Sequence, residues 1–263
     1  DAPPADTAVS VTGNYVYILA EDKEILVYGA DGSLLGRIAA DPTIDGILAG
    51  PKDDILFLTS KSQGTLRIAA INFIKDIDIS QAPVKGPAEA PVVITVFSDF
   101  QCIACARVAE LLDQVHIKYP QKAKIVFKHY PMRTHRYALK ASMAALAAKQ
   151  QDMFWPYHDF IFTESDSLSE NKLTAIAGEL GLDMEKFEKD YRDPEMVNRI
   201  REDIAQAMSL GVNGTPTVFV NGRMLRDWSM EGIEKAIQQE LEKTNKATDT
   251  KKAACAGAPT ESW

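Results

Sequence analysis

The sequence predicts an α/β chain in which a small all-β N-terminal module precedes a larger domain of mixed strands and helices. Three observations lead to this prediction. Residues 9–80 contain short runs of β-branched and aromatic residues separated by turn signals. Residues 80–91 contain three prolines and no hydrophobic periodicity, as expected for a boundary. Beyond them, a strand of the buried type leads directly into residues with helical spacing.

The N-terminal module is predicted to be built from strands. An offset of about 40 residues lays 15–19 over 55–59 and 25–28 over 66–69, which indicates two repeats and resembles β-propeller blades. Two blades cannot close a propeller, and an antiparallel meander or small two-layer β domain is the favoured interpretation. The predicted strands are 15–19, 24–28, 34–38, 55–59, 65–69 and 73–77.

The predicted organisation is a module at 1–84, a second domain at 85–245 and a flexible tail at 246–263. In the second domain, helix starts are indicated by a capping box from Ser167 to Glu170, an N-cap at Asp183 and a first-turn proline at Pro194. Its predicted strands are 92–97, 124–130, 217–220 and 223–225. Its predicted helices are 107–119, 137–150, 153–162, 172–180, 184–191, 195–210 and 229–243.

Composition excludes several classes of protein. The chain has 29 Lys and Arg against 37 Asp and Glu, a net charge of −8, and no basic cluster that would favour nucleic-acid binding. No apolar run approaches the roughly 18 residues of a membrane span, so no membrane insertion is expected. The start, residues 1–6, is typical of a flexible end left after removal of a signal peptide, which suggests export.

The chemistry-bearing motif is Cys102-Ile103-Ala104-Cys105, between the strand at 92–97 and the helix that follows. Cys102 is expected at the helix N-terminus, where free backbone N–H groups and the helix dipole favour a thiolate. Cys105 lies one turn later, within reach of a mixed disulfide on Cys102. The same spacing occurs in zinc sites, but a structural zinc site needs a second pair of ligands. The four histidines show no such spacing, so no metal is expected.

Four segments, in order, resemble the DsbA-type thioredoxin-fold disulfide oxidoreductases over about residues 88–243. They are 95–105 around the cysteines, Phe127-Lys128-His129-Tyr130-Pro131-Met132, Phe154-Trp155-Pro156-Tyr157-His158-Asp159, and 211–222 around Thr215-Pro216. The resemblance implies a thioredoxin fold with a helical insertion at about 135–205. It also implies a cis Thr215–Pro216 bond facing Cys102, which leaves the Thr215 backbone free to pair with an extended substrate.

Two departures from the family pattern affect the expected chemistry. Many relatives carry a buried acid six residues before the first cysteine, to accept the proton of the resolving thiol, but this chain has Val96. Water or another group, such as Lys128, could take that role; an exposed strand position for Lys128 is equally open. Ala104 replaces the histidine of strongly oxidising relatives, which predicts a less oxidising couple.

The predicted function is thiol–disulfide exchange on exported proteins in a periplasmic or extracytoplasmic space. It needs no cofactor. Cys102 and Cys105 are the predicted catalytic residues, and Thr215 and Pro216 the predicted substrate-binding loop. Isomerase or reductase activity is favoured over strong oxidase activity, and a redox partner protein is expected. The alternative is a Cu(I)-binding or metal-handling protein that uses the same cysteine pair.

The N-terminal module predicts self-association. Its two repeats leave sheet edges unpaired, and pairing with a second chain would satisfy them. Isomerases that resemble this architecture also place a dimerisation module before the thioredoxin domain. A homodimer held by residues 9–80 is therefore expected; the alternative is a monomer whose β module binds a partner or packs on its own domain. Cys255 is expected to be an unused thiol rather than a third redox centre.

Overall fold

The computed structural model describes residues 2–256, with side chains described for 2–244. The chain divides into two compact units, one ending at Phe73 and the other starting at Ile74. Among residues 2–256, none of the helices combines the length and the apolar character that spanning a bilayer requires.

The first unit consists of two antiparallel sheets, and each predicted repeat supplies one of them. The strands alternate side chains between two faces, so that one face of each sheet buries its apolar residues. Tyr17, Leu19, Ile25, Ile47 and Leu56 are almost fully buried in the shared core. The four-stranded sheet has the order β1 (Pro4–Val9), β2 (Tyr15–Ala20), β3 (Glu24–Gly29), β4 (Leu34–Ala39). The three-stranded sheet has the order β5 (Gly46–Ala49), β6 (Ile55–Ser60), β7 (Thr65–Ala70).

Three local predictions for this region differ from the structure. The flexible start is wrong for residues 4–6, because they belong to β1, which pairs with β2. The predicted strand at 73–77 forms only one bridge, from Ile74 to Arg223. The short strand β5 was not predicted, since four residues beginning with a glycine give little periodic signal.

The second unit contains a five-stranded mixed sheet covered by helices, which confirms the predicted thioredoxin-type α/β fold. Strand β9 lies at its centre, parallel to β10 and antiparallel to β11. The sheet order is β12 (Arg223–Met224), β11 (Thr217–Val220), β9 (Val92–Ser98), β10 (Ala123–His129), β8 (Val84–Lys85). The helices are α1 (Ile103–Lys118), α2 (Ala138–Lys149), α3 (Phe154–Thr163), α4 (Glu170–Glu179), α5 (Met184–Tyr191), α6 (Pro194–Ser209) and α7 (Met230–Ala256).

Helix starts follow the expected capping chemistry, with one correction. Asp183 caps α5 by accepting a hydrogen bond from the Lys186 N–H, and Pro194 opens α6. The capping box from Ser167 is wrong: Ser169 caps α4, because Ser167 belongs to a preceding 3₁₀ turn.

The boundaries of the predicted domains can be compared with these elements. The stretch 80–91, predicted as a boundary, lies in the second unit and contributes β8 to its sheet. The last helix was predicted to end near Lys243, but α7 continues to Ala256, so the predicted tail begins inside a helix. Residues 257–263 of that tail and the Cys255 side chain lie outside what the structure describes.

Candidate active site

The loop between β9 and α1 positions the first cysteine. Cys102 is the N-cap residue of α1, with extended backbone angles, as its place before the helical stripe predicted. Its own N–H donates to the Asp99 carbonyl at 3.1 Å, which holds the turn, and its side chain is half-buried. The thiol is therefore accessible at the positive end of the α1 dipole.

Cys105 occupies a very different environment one turn along the same helix. Only 1% of its surface is exposed. Burial raises the pKa of its thiol to about 12, although hydrogen bonds from the Ser98 side chain, the Asp99 backbone and the Thr215 side chain oppose that effect. The two thiols thus differ in access: that of Cys102 is partly exposed, and that of Cys105 is buried and protonated at neutral pH.

The loop before β11 lies opposite Cys102. The Thr215–Pro216 bond is cis, as predicted. The Cys102 Sγ donates to the Thr215 carbonyl oxygen at 3.6 Å. The sheet register explains this meeting, because Thr217 pairs with Phe97 and so brings the preceding loop to the carboxyl end of β9. The cysteine pair and the Thr215–Pro216 pair, which are far apart in sequence, therefore lie together at the carboxyl end of β9.

Asp99 organises the surrounding loops, a role that sequence reasoning missed. Its side chain is fully buried, and its two oxygens accept hydrogen bonds from the Gln101 N–H and the Met132 N–H, each at 2.7 Å. The Nδ1 atom of His135 lies 2.8 Å from the same carboxylate. Its position three residues before Cys102, within the segment 95–105 that resembles the family, was the only sequence signal.

From the sequence, one of the two alternatives for Lys128 was an exposed position on its strand. The structure shows that Lys128 is buried instead. Its side chain is 8% exposed, and its Nζ lies 2.6 Å from the Asp203 carboxylate, itself 9% exposed. Nζ also donates to the Asp78 carbonyl at 3.0 Å, and Asp203 accepts the His129 N–H at 2.8 Å. The lysine therefore joins β10 to α6 through a buried ion pair.

The comparison with protein families agrees with this geometry. A family model described as Thioredoxin matches residues 79–239, more than half of the chain. The chain belongs to this thioredoxin family. Its matched region contains the cysteine pair, the helical insertion and the cis-proline loop.

Solved structures with this thioredoxin fold cover the same part of the chain. A thioredoxin-like oxidoreductase from Silicibacter pomeroyi DSS-3 is 27% identical, with a TM-score of 0.55 over 62% of this chain and 94% of that one. Oxidised BdbD from Bacillus subtilis, at 19% identity, has a TM-score of 0.58 over 63% and 95%. The thiol-disulfide exchange protein alpha-DsbA2 from Wolbachia pipientis, at 21%, has a TM-score of 0.54 over 61% and 87%. The DsbA-type fold expected from the motifs is confirmed.

Curated proteins that are similar to this chain in sequence are named Na(+)/H(+) antiporters. The Na(+)/H(+) antiporter NhaA of Herminiimonas arsenicoxydans is 36% identical over 143 residues, which are 54% of this chain and 23% of that protein. NhaA 3 of Salinispora tropica is 34% identical over 169 residues, 64% and 26% respectively. The chain spans about a quarter of the length of these relatives.

Proposed function

We propose that the protein is a thiol–disulfide oxidoreductase in which Cys102 reacts with substrate and Cys105 resolves the intermediate. The observation that supports this most directly is the asymmetry of the pair. Cys102 is accessible at the N-cap of α1, beside the Thr215 carbonyl, whereas Cys105 is buried one turn behind it. A nucleophile needs access to substrate, and a resolving thiol needs only access to the mixed disulfide.

Exchange with a substrate disulfide then proceeds in two balanced steps. The Cys102 thiolate attacks one substrate sulfur, which forms a mixed disulfide and releases the other sulfur as a thiolate. Cys105 loses its proton and attacks Cys102, so the Cys102–Cys105 bond forms and the substrate sulfur leaves. The substrate gains two electrons, and the two enzyme thiols become a disulfide. Oxidation of a substrate dithiol is the same sequence in reverse.

Two single substitutions test the assignment of roles. Cys105→Ser should accumulate a mixed disulfide with a peptide disulfide, because the intermediate forms but is not resolved. Cys102→Ser should form no adduct and show no insulin reduction. Mass spectrometry of acid-quenched samples measures both. Substantial activity in Cys102→Ser contradicts the proposal.

We propose exported proteins as substrates, in a periplasmic or extracytoplasmic compartment where structural disulfides form and persist. Isomerase or reductase activity is favoured over strong oxidase activity because Ala104 offers no imidazole to stabilise the reduced state, and because Thr215 before the proline resembles the isomerase-type relatives. The equilibrium constant with glutathione measures this preference, since a strongly oxidising couple would contradict it.

The alternative role as a Cu(I) carrier depends on the same two cysteines. Binding Cu(I) through both sulfurs requires ionisation of Cys105, which its raised pKa disfavours. Exchange chemistry needs only transient ionisation of that thiol. Stoichiometric, tight Cu(I) binding together with no exchange activity would reverse the order of the two proposals.

A further inference from the structure

A small cavity lies behind Cys105, at the place where the acid is missing. Val96 and Cys105 both line it, together with Ser98, Asp113 and His158. It leaves about 10 Å³ for the centre of a water molecule, which is room for roughly one water. The other lining residues are Ala109, Leu112, Ile125, Phe127 and Trp155.

His158 is the basic side chain among the residues that line this cavity. Its side chain is 5% exposed, and its Nδ1 lies 2.7 Å from the Asp159 carboxylate. With that carboxylate ionised, Nδ1–H is the donor and Nε2 carries the lone pair. Burial lowers the pKa of His158 below its usual value, against the opposing effect of Asp159, so the imidazole is neutral at pH 7. A neutral imidazole oriented by a carboxylate is a general base.

The surroundings of His158 fix its ring and connect it to solvent. Its ring contacts five aromatic rings at centroid distances from 4.8 to 5.9 Å, those of Phe100, Phe127, Phe154, Trp155 and Phe162. Lys85 pairs with Asp113 at 2.7 Å and with Asp159 at 3.6 Å. Asp113, which lines the cavity, is 40% exposed, so the cavity wall that it forms meets water. Asp159, which binds His158 from outside the cavity lining, is 45% exposed.

The other candidates for a proton acceptor are less suited. Lys128, considered from the sequence, pairs with Asp203 and is not among the residues that line the cavity. Asp113 lines it, but its carboxylate is paired with Lys85. His129 is a titratable neighbour of His158, but it does not line the cavity. Burial also lowers the pKa of His129 to about 4.

We propose that His158, oriented by Asp159, accepts the Cys105 proton through the cavity and replaces the acid that Val96 does not provide. This inference depends on the exchange function proposed above. In the resolving step the proton passes from Cys105 to Nε2, directly or through one water, as the Cys102–Cys105 bond forms. The substrate leaves as a thiolate, and His158 then releases the proton to solvent past Asp113 and Asp159.

The test is a single-turnover experiment that separates the two steps of exchange. The reduced protein, residues 1–263, is mixed with a peptide disulfide and quenched with acid, and the mixed disulfide is quantified by mass spectrometry. In H158Q the formation of the mixed disulfide should keep its rate, while its resolution slows about 100-fold, within the usual range for loss of a general base. The resolution rate of the unmodified protein should fall as pH drops through the His158 pKa, and H158Q should lose that dependence.

Three further variants distinguish a proton acceptor from a structural histidine. D159N leaves the imidazole in place but removes its orienting carboxylate, so it should slow resolution less than H158Q does. V96E in the H158Q background places a carboxylate in the same cavity and should restore part of the rate. H116Q, in a histidine outside the cavity, should change neither step.

The outcomes separate this inference from the function on which it depends. If the unmodified protein does not exchange with the peptide, the proposed function is wrong. If it exchanges, and H158Q resolves the mixed disulfide at the unmodified rate with the same pH profile, His158 is not the acceptor. If H158Q fails to fold, an unchanged resolution rate in D159N overturns the proposal by itself.

Discussion

Removing the Lys128 ammonium should strongly destabilise the second unit. Lys128→Met keeps the length of the side chain but leaves the Asp203 carboxylate with only the His129 N–H, at 2.8 Å, among the contacts described above. Both members of the ion pair are less than one-tenth exposed. Breaking a pair of this kind strands a buried charge and costs about 3–5 kcal/mol.

A double-mutant cycle measures how much of this loss of stability comes from the ion pair between Lys128 and Asp203. Asp203→Asn retains an acceptor for the His129 N–H but leaves the Lys128 charge buried. Each single substitution should therefore cost about 3 kcal/mol or more, whereas Lys128→Met combined with Asp203→Asn buries no charge. The double variant should lose at least about 2 kcal/mol less than the sum of the single losses.

Urea unfolding followed by tryptophan fluorescence measures the free energy of unfolding of the second unit, which contains the ion pair. The three tryptophans, Trp155, Trp228 and Trp263, all follow residue 73, so the signal comes from the second unit. Arg192→Met is a matched control, because Arg192 pairs with Glu188 while 78% exposed. An exposed pair of this type contributes about 0.5 kcal/mol or less. A loss below about 1 kcal/mol for Lys128→Met, or additivity within about 0.5 kcal/mol, refutes the argument.

Three other outcomes are expected. Iodoacetamide should modify Cys102 well before Cys105 in the reduced protein at pH 8, and Cys105 should stay unmodified until the pH approaches its raised pKa of about 12; equal labelling of these two thiols contradicts this. His129 has a depressed folded-state pKa of about 4 against 6.5 unfolded, so the unfolded state binds more protons below pH 6.5. The free energy of unfolding, measured in urea, should therefore fall by about 2 kcal/mol from pH 7 to pH 5. His129→Leu should lose this part of the pH dependence. Light scattering at micromolar concentration should give a dimer for the full chain, held by residues 9–80, and a monomeric full chain rejects this.

Much of the local structure could be predicted from the sequence, because periodicity and caps act within a few residues. Short β-rich runs between turn signals predicted β2, β3 and β6 almost to the residue, and an N-cap predicted the start of α5 at Asp183. The helix at 137–150 was predicted as well, but its packed face consists mainly of alanines, so Leu139 is 42% exposed.

The candidate site, like the fold, has features that could be predicted from the sequence and features that only the structure shows. The motif and its resemblance to a family predicted the cysteine pair, the start of α1 and the cis bond before Pro216, since these depend on adjacent residues or on a recurrent loop. Its surroundings depend on residues that are far apart in the chain, such as Lys128 and Asp203, which form an ion pair, and Cys105 and His158, which line the same cavity. Only packing brings such residues together, because the register of β9 with its neighbours and the docking of α3 and α6 decide which polar groups become buried partners. The sequence by itself therefore determined the cysteine pair and its place at the start of a helix, and the tertiary structure decided which groups surround the buried cysteine.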